Sequence, residues 1–264
     1  MPVGPLRRLV VPPRYAPVEP IMFWACFPNT PALYSRRIMR ILRPLPRHFY
    51  EPSAKVVAPA LLGHWLIRNT ANGPCGGPIV ETEAYLVGDP ACHGAPGPTA
   101  RNRALFGAPG HGYVYLIYGF YFCMNAVCQP PGVAEAVLIR AVEVALGEEF
   151  MRERRPVAAT RDLTNGPGKL CLAMDIDRSL DGVDLCDAKS PLFIARNLTV
   201  EHFRREHGPV VTGRRIGLTK AADLALRFYL QRSHFVSPHR EGDGGSRKPK
   251  TEIRRKSEGR NLKA

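Results

Sequence analysis

The sequence lacks the features that mark metal-binding, disulfide-stabilised and membrane-spanning proteins. Its seven cysteines are scattered, odd in number and contain no CxxC pair, so we expect reduced, buried thiols and no metal site. Its longest apolar runs are far shorter than the ~18 residues that a membrane-spanning helix needs. The N-terminal residues include no apolar stretch long enough for a signal peptide. These absences favour a reduced, cytoplasmic protein without a membrane segment.

Two signatures of nucleotide chemistry are incomplete as well. The run Gly-Pro-Gly-Lys at 166–169 is similar to a phosphate-binding loop, but Leu163 replaces the first glycine of that motif and Leu170 replaces the magnesium-binding hydroxyl. No arrangement of histidine and cysteine has the spacing of a zinc deaminase. Lys169 stays a candidate for contacting a phosphate, because it lies near the predicted N-terminus of a helix.

The net charge of +14 is concentrated at the two ends of the chain. Residues 1–50 contribute +7 and residues 240–264 contribute +5, which leaves +2 for residues 51–239. Basic ends are commonly solvated arms and less often DNA-contacting ones, so the charge alone does not identify a nucleic-acid partner. We predict a poorly ordered basic extension at 1–45, one domain at 46–237 and a disordered basic tail at 238–264.

The hydrophobic pattern of the middle region predicts helices and strands in irregular alternation. Apolar residues recur at helical spacing over residues 52–64, and two aromatic, β-branched runs around Gly119 indicate a hairpin. Further strands are predicted at 65–68, 78–85, 133–144, 193–201 and 213–218, and further helices at 148–155 and 165–174. The Gly/Pro-rich segment 88–112 is predicted to be a long loop. Because no regular βαβ rhythm is present, we predict an α+β domain with a mainly antiparallel sheet.

The sequence Glu-Thr-Glu-Ala-Tyr at 81–85 is the sharpest chemical feature. On a strand, Glu81, Glu83 and Tyr85 share one face, with successive side chains about 6.6 Å apart. This face is either an ordinary solvent-exposed one or a site where a carboxylate activates water or stabilises a cation beside an aromatic ring. Two carboxylates could also serve a sugar hydrolase, although a single strand rarely supplies both, because the pair must flank the scissile bond.

Several residues of the following loop and hairpin are further candidates. His93 lies in the long loop, where a lone histidine is commonly just a surface residue. Arg101 and Arg103 suit phosphate contacts or are ordinary loop charges. The tyrosines between positions 113 and 121 favour core packing, but Tyr118 precedes Gly119 at the predicted hairpin tip. An exposed aromatic ring at such a tip is costly unless a partner receives it.

Six motifs, taken together and in order, resemble those of one enzyme family. They lie at residues 80–85, 101–103, 113–125, 137–140, 166–170 and 227–229. They resemble the alkyladenine (3-methyladenine) DNA glycosylases of the animal type, a family that also has bacterial members, and the resemblance extends over residues 46–237. It implies a single α+β domain around a curved, mainly antiparallel sheet with flanking helices, which uses no metal and no cofactor.

The resemblance also implies roles for individual residues around the reacting sugar and the extracted base. Glu83 matches the family's general base, which positions and deprotonates the water that attacks the sugar C1′. Arg140 matches an arginine that helps to hold this water. Tyr85, His93 and Tyr115 match the side chains between which the extruded base stacks.

Other matched residues concern selectivity and DNA contact. Asn125 matches a residue that would clash with the exocyclic amine of normal guanine. Tyr118 matches the side chain that enters the minor groove and fills the space left by the flipped base. Arg101, Arg103 and Lys169 are expected to contact the DNA backbone.

These roles imply a monomeric, monofunctional enzyme of base-excision repair. It would excise alkylated or deaminated purines (3-methyladenine, 7-methylguanine, hypoxanthine) from duplex DNA and leave an abasic site. Such an enzyme is expected at the nucleoid in the bacterial cytoplasm, or in the nucleus of a eukaryote. Two alternatives stay open: a non-catalytic binder of damaged nucleic acid, and a hydrolase of nucleosides or small glycosides that uses Glu81 and Glu83. A binder has no need of a carboxylate that repels phosphates, and a small substrate would not need the Tyr118 tip.

Overall fold

Eight strands form in residues 42–237, the part of the chain that the computed structural model describes. The strands are β1 (Trp65–Thr70), β2 (Gly73–Tyr85), β3 (Gly112–Ile117), β4 (Tyr121–Cys128), β5 (Glu135–Val142), β6 (Leu192–Ala195), β7 (Val210–Gly213) and β8 (Arg227–Leu230). They form one curled antiparallel sheet in the order β3-β4-β5-β2-β1-β6, with β8 beside β2 and β7 beside β8.

Short helices flank this sheet. They are α1 (Ala54–Leu61), α2 (Glu148–Arg154), α3 (Arg161–Thr164), α4 (Pro167–Ala173) and α5 (Val200–Glu206), with 3₁₀ turns at Arg47–Tyr50, Arg103–Phe106 and Arg178–Leu180. The N-terminus of α1 is held by the buried carboxylate of Glu135, which accepts from Ser53 Oγ at 2.8 Å and from the Ala54 amide at 2.9 Å. A carboxylate in this position satisfies amides that the first helical turn leaves unpaired.

Strand β2 is the centre of the sheet and separates two kinds of environment. It pairs with β1 along its first half and with both β5 and β8 along its second half. Val80, Thr82 and Ala84 alternate toward the hydrophobic core, where Thr82 Oγ1 donates to the Ala58 carbonyl of α1 at 2.9 Å. Glu81 and Glu83 therefore point to the opposite face of the sheet, because neighbouring strand residues alternate.

The α+β class, the single domain and the mainly antiparallel sheet predicted from the sequence are confirmed. The predicted helices at 52–64, 148–155 and 165–174 are present as α1, α2 and α4, and the hairpin around Gly119 is formed by β3 and β4. Residues 88–111 form a long loop interrupted by one 3₁₀ turn.

Two strand predictions are wrong in extent. The segment 193–201 was predicted to be extended, but β6 ends at Ala195 and the chain enters α5 at Val200. Asn197 makes this reversal, because its Oδ1 accepts from the Thr199 amide at 2.9 Å and its Nδ2 donates to the Gly63 carbonyl. The segment 213–218 leaves the sheet after Gly213, since Arg215 turns inward to a buried carboxylate rather than continuing β7.

The first described residues belong to the domain. Leu42 and Leu45 are buried, and the Leu45 amide donates to the Ile194 carbonyl of β6 at 2.8 Å. The predicted extension at 1–45 and the predicted tail at 238–264 lie outside the described residues, apart from positions 42–45.

Within residues 42–237, no helix has the length and apolarity required to cross a membrane. The six cysteines of this part of the chain are free, and it contains no group of three or more His, Cys, Asp or Glu side chains that could hold a metal ion.

Candidate active site

A β-bulge in β5 sets the geometry of the site. Glu81 pairs with Ala141 and Thr82 pairs with Ile139, so Arg140 is the extra residue between them in the described sheet. A bulge of this kind redirects one side chain out of the regular alternation and is frequent beside active sites. Here it turns the guanidinium of Arg140 onto the acidic face of β2.

Glu83 is fully buried and held by two hydrogen bonds and one ion pair. Its Oε1 accepts from the Ile216 amide at 2.8 Å and lies 3.1 Å from Arg140 Nη1, and its Oε2 accepts from the Tyr85 hydroxyl at 2.9 Å. An ionised carboxylate offers about four acceptor positions. Counting only hydrogen bonds within residues 42–237, each oxygen of Glu83 accepts one, so both keep further acceptor capacity.

Glu81 is equally buried, but its acceptor positions are directed elsewhere. Its Oε1 accepts from Arg140 Nε at 3.2 Å and from Arg227 Nε at 2.6 Å, and its Oε2 accepts from the Ser237 amide at 2.8 Å. Burial by itself raises the pKa of Glu81, but Arg140 and Arg227 together with Ser237 hold this pKa below its ordinary value. Glu81 is therefore ionised at neutral pH.

This cluster decides between the open interpretations of the acidic face. The interpretation of this strand face as an ordinary solvent-exposed one is wrong, because neither glutamate has any exposed surface. The paired-carboxylate sugar hydrolase is disfavoured, because Arg140 contacts both carboxylates and Glu81 is occupied by two arginines and an amide. Such a pair must flank the scissile bond with space for a sugar between the two groups.

The aromatic residues matched to the base pocket lie together beside Glu83. Tyr85 and Tyr115 pack in one cluster, and the His93 ring meets the Tyr115 ring edge-on with centroids 4.1 Å apart. His93 Nδ1 lies 3.1 Å from the Tyr113 hydroxyl, which orients the imidazole. Burial, with a smaller contribution from Arg101, lowers the pKa of His93, so its ring is neutral at neutral pH.

A buried ion pair, which the sequence did not indicate, contacts Tyr85 of this aromatic cluster. Arg215 pairs with Asp89, donates to the Ala84 carbonyl at 3.1 Å and places its guanidinium 4.7 Å from the centroid of the Tyr85 ring. The next residue, Ile216, supplies the amide that binds Glu83. No sequence pattern marks a backbone amide as a ligand, so this contact could be found only from the fold.

Asn125 lies in the same cross-strand row as Glu83. Glu83 pairs with Leu138, which pairs with Asn125, which pairs with Tyr113. Paired residues point to the same face, and two strand spacings separate Glu83 from Asn125 by about 10 Å. Asn125 is buried and its Nδ2 donates to the Tyr113 carbonyl at 3.0 Å, which fixes the orientation of the amide.

The hairpin between β3 and β4 presents Tyr118 to solvent. Its side chain is 73% exposed, and its backbone has φ +54°, followed by Gly119 at φ +80°. Positive φ at both central positions defines the tight hairpin turn, closed by the Phe120 amide on the Ile117 carbonyl. Glycine adopts this conformation freely, but a bulky residue such as tyrosine is strained in it. Core packing, which the tyrosine cluster favoured, applies to buried Tyr113 and not to Tyr118.

The basic residues predicted to contact DNA lie in different settings. Arg101 and Arg103 are exposed, and Arg101 Nη2 donates to the Leu116 carbonyl at 2.9 Å near the end of β3. Lys169 is half-buried at the start of α4, and its Nζ donates to Asn165 Oδ1 at 2.7 Å. The structure thus places Arg101 beside the hairpin that carries Tyr118, whereas the Lys169 ammonium is already hydrogen-bonded.

Comparison with known proteins gives a family match and several relatives. A family model described as methylpurine-DNA glycosylase (MPG) matches residues 48–234. A protein of Mesorhizobium japonicum is 45% identical over 194 residues, which cover 74% of this chain and 90% of that protein. A protein of Methanocella arvoryzae is 46% identical over 204 residues, covering 75% and 98%, and one of Rhodopseudomonas palustris is 46% identical over 193 residues, covering 73% and 87%. All three are named "Putative 3-methyladenine DNA glycosylase".

Proposed function

Because the chain belongs to the methylpurine-DNA glycosylase family, it is a DNA-repair glycosylase, and we propose that it flips damaged purines out of duplex DNA and hydrolyses their glycosidic bonds. We further propose alkylated and deaminated purines as its substrates, with 3-methyladenine, 7-methylguanine and hypoxanthine as representatives. The protein would act as a monomer on DNA.

The observation that carries this proposal is the partly satisfied carboxylate of Glu83. Two hydrogen bonds and the ion pair with Arg140 fix Glu83, and its remaining acceptor capacity can receive one proton of a water molecule. As the base departs, the sugar acquires oxocarbenium character, which a buried carboxylate stabilises while it takes the proton of the attacking water. Glu83 is thus the proposed general base, and Arg140 fixes its orientation.

The neighbouring residues suit a flipped purine. Tyr85, His93 and Tyr115 offer aromatic faces and edges, and stacking is worth about 1–3 kcal/mol per base. Flipping costs a few kcal/mol, least for a damaged or mispaired base, so stacking can compensate for it. The fixed amide of Asn125 would exclude the exocyclic amine of normal guanine.

The exposed hairpin tip is suited to contact the DNA duplex at the site of the flipped base. We assign Tyr118 as the side chain that enters the minor groove and fills the space vacated by the flipped base, as inserted side chains do in other minor-groove proteins. Arg101, Arg103 and Lys169 are assigned to phosphate contacts. These contacts would hold the duplex while the base occupies the pocket.

The groups around Glu83 also indicate how the reaction ends. They are a guanidinium, a phenol and a backbone amide, none of which forms an imine with the sugar aldehyde. The proposed product is therefore an abasic site in an intact strand. A covalent adduct trapped by borohydride would contradict this part of the proposal.

Glu83→Gln tests the proposal. Positioned general-base catalysis contributes roughly 10²–10⁴-fold, so we expect single-turnover excision from a duplex with one 7-methylguanine or hypoxanthine to fall by that factor. Binding to the same duplex should change only a few-fold. The measurement is the fraction of the DNA strand that alkali cleaves at the abasic site. Without alkali the strand should stay intact.

Glu135→Gln is the matched control. It alters another buried strand glutamate, which holds the start of α1 and the Val87 amide and does not contact Glu83 or Arg140, so it should lower thermal stability and keep the excision rate within a few-fold. Excision above a few per cent of wild type in Glu83→Gln would move the chemistry to another residue. A wild-type protein that binds lesions without releasing base would favour the non-catalytic binder.

A further inference from the structure

Glu81 has no part in the reaction proposed above, yet it is contacted by both arginines of the acidic cluster. It has no exposed surface and accepts from two guanidinium groups and one amide. Burying a charge is costly unless it is paired, so the presence of a buried glutamate at position 81 requires an explanation. We propose, resting on the glycosylase function, that Glu81 is a positioning residue that neutralises Arg227 and anchors Arg140, so that the cluster around Glu83 carries no surplus positive charge beside the reacting sugar.

The first part of the argument is the grip on Arg140. Its Nε lies 3.2 Å from Glu81 Oε1 and its Nη1 lies 3.1 Å from Glu83 Oε1, so the two carboxylates hold the guanidinium at two different nitrogens. The planar fork of arginine has a fixed geometry, and two anchors define its plane. Because Arg140 sits on a bulge, the regular sheet does not orient its side chain, and Glu81 supplies that orientation.

The second part is the balance of charge. Glu81 and Glu83 carry two negative charges, and Arg140 and Arg227 carry two positive ones, all with side chains at most 7% exposed. Arg227 is paired with Glu83 in strand register, so it lies beside the catalytic carboxylate as well as bonding to Glu81. Removing the charge of Glu81 leaves the cluster with a net charge of +1 next to a sugar that becomes cationic.

This surplus charge has a different effect on the two classes of lesion. A 7-methylguanine is already cationic, so its positive charge only moves from base to sugar, and the surplus charge opposes binding as much as reaction. Hypoxanthine is neutral and takes up a proton from solvent water as it leaves, so the surplus charge opposes the transition state and not the bound state. Binding that differs between ground state and transition state is what changes a rate.

Glu81→Gln is the test, with single-turnover rate and dissociation constant measured for both lesions in the same duplex. Loss of the Arg140 anchor should lower both rates, and the hypoxanthine rate should fall roughly tenfold further than the 7-methylguanine rate. The dissociation constant should rise for 7-methylguanine and stay within about twofold for hypoxanthine. A purely structural role would lower both rates by the same factor and leave the ratio of rates unchanged, which would overturn the proposal.

Two further variants keep the test decisive if Glu81→Gln lowers thermal stability. Glu81→Asp keeps the charge and shortens the side chain, so it should retain the wild-type ratio of rates. Glu81→Gln combined with Arg227→Met removes one charge of each sign, and recovery of the wild-type ratio in this double variant would show that charge is the cause. A ratio that stays altered in the double variant would contradict the proposal.

The outcome is separable from that of the proposed function. If the wild-type protein excises neither lesion, the proposed function fails. If the wild-type protein excises both and Glu83→Gln abolishes excision, but Glu81→Gln preserves the ratio of rates, only the assignment of Glu81 fails.

Discussion

The acidic face of β2 and the tip of the β3–β4 hairpin differ in almost every physical respect. Glu83 has no exposed surface, two hydrogen bonds and one ion pair, whereas Tyr118 is 73% exposed on a strained backbone. A buried charge must be paired, so its partners define what it can do. An exposed, strained aromatic contributes little to folding, so its presence indicates a contact outside the protein. We therefore propose that the first region carries the chemistry and that the second distorts the duplex.

Tyr85→Phe should have the largest effect on the first region alone. It removes the hydroxyl that donates to Glu83 Oε2 at 2.9 Å and keeps the ring that stacks the base. A hydrogen bond to a charged group contributes about 1.5–3 kcal/mol, so single-turnover excision should fall roughly 10- to 100-fold. Because the duplex is not involved, paired, mispaired and single-stranded substrates should lose the same factor.

Tyr50→Phe is the control for this change. The Tyr50 hydroxyl is buried and has no hydrogen-bond partner among residues 42–237, so its removal should not lower the excision rate. If Tyr85→Phe spared single-stranded substrate, the hydroxyl would act in duplex distortion and the division between the two regions would fail.

Tyr118→Ala should have a smaller effect that depends on base pairing. Without the inserted ring, the vacated space in the duplex is open, and excision from a fully paired lesion should fall roughly tenfold, which corresponds to about 1.4 kcal/mol. The loss should shrink for mispaired and single-stranded lesions, because unstacking is already cheap there. The melting temperature should hardly change, since the side chain is exposed.

Phe120→Ala sharpens the assignment of the inserted residue. Phe120 is 67% exposed at the same tip, but its ring packs on Tyr121 with centroids 4.4 Å apart. We expect its removal to affect paired substrate less than Tyr118→Ala does. Equal losses of excision for the two variants would show that both rings enter the duplex. A large fall in melting temperature for Tyr118→Ala would show that the Tyr118 ring contributes to folding.

The smallest expected effect is the pH dependence contributed by His93. Its pKa is lowered by burial and by Arg101, so the ring is neutral at pH 7 and becomes cationic only as the pH falls through a value below 6.5. A cationic ring repels an alkylated, cationic purine, so excision of 7-methylguanine should fall several-fold on this acidic limb. The same lowered pKa means that folding stability is lost as the pH falls below about 6.5, where the unfolded chain takes up the proton.

His93→Gln checks this expectation, because glutamine does not titrate. The variant should show a shallower fall in 7-methylguanine excision between pH 7 and pH 5 than the wild-type protein. Tyr118→Ala should keep the wild-type shape, since its region contains no such group. Identical pH profiles for wild type and His93→Gln would show that the His93 ring does not face the cationic base.

Local patterns predicted the parts of the site that lie close together in sequence. Alternation placed Glu81, Glu83 and Tyr85 on one face, and Gly119 predicted the turn that exposes Tyr118. Burial of Glu81 could not be predicted, because a glutamate on a strand ordinarily faces water. Its partner Arg227 lies 146 residues away.

Contacts that depend on strand register or on backbone atoms could not be predicted from the sequence either. The bulge that frees Arg140 depends on which residues of β5 pair with β2, and periodicity does not fix pairing between distant strands. The Ile216 amide carries no side-chain signature. The error at 193–201 has a related cause, since the Asn197 side chain binds Gly63 and diverts a β-branched segment into α5.

The bond between the Ser237 amide and Glu81 has a consequence for the order in which the protein is made. The two residues are 156 positions apart, and Ser237 is the last residue of the described domain. During synthesis Glu81 therefore leaves the ribosome long before the amide that completes its coordination. A chain that ends short of Ser237 lacks that donor, so the acidic cluster is complete only after β8 and Ser237 have been made.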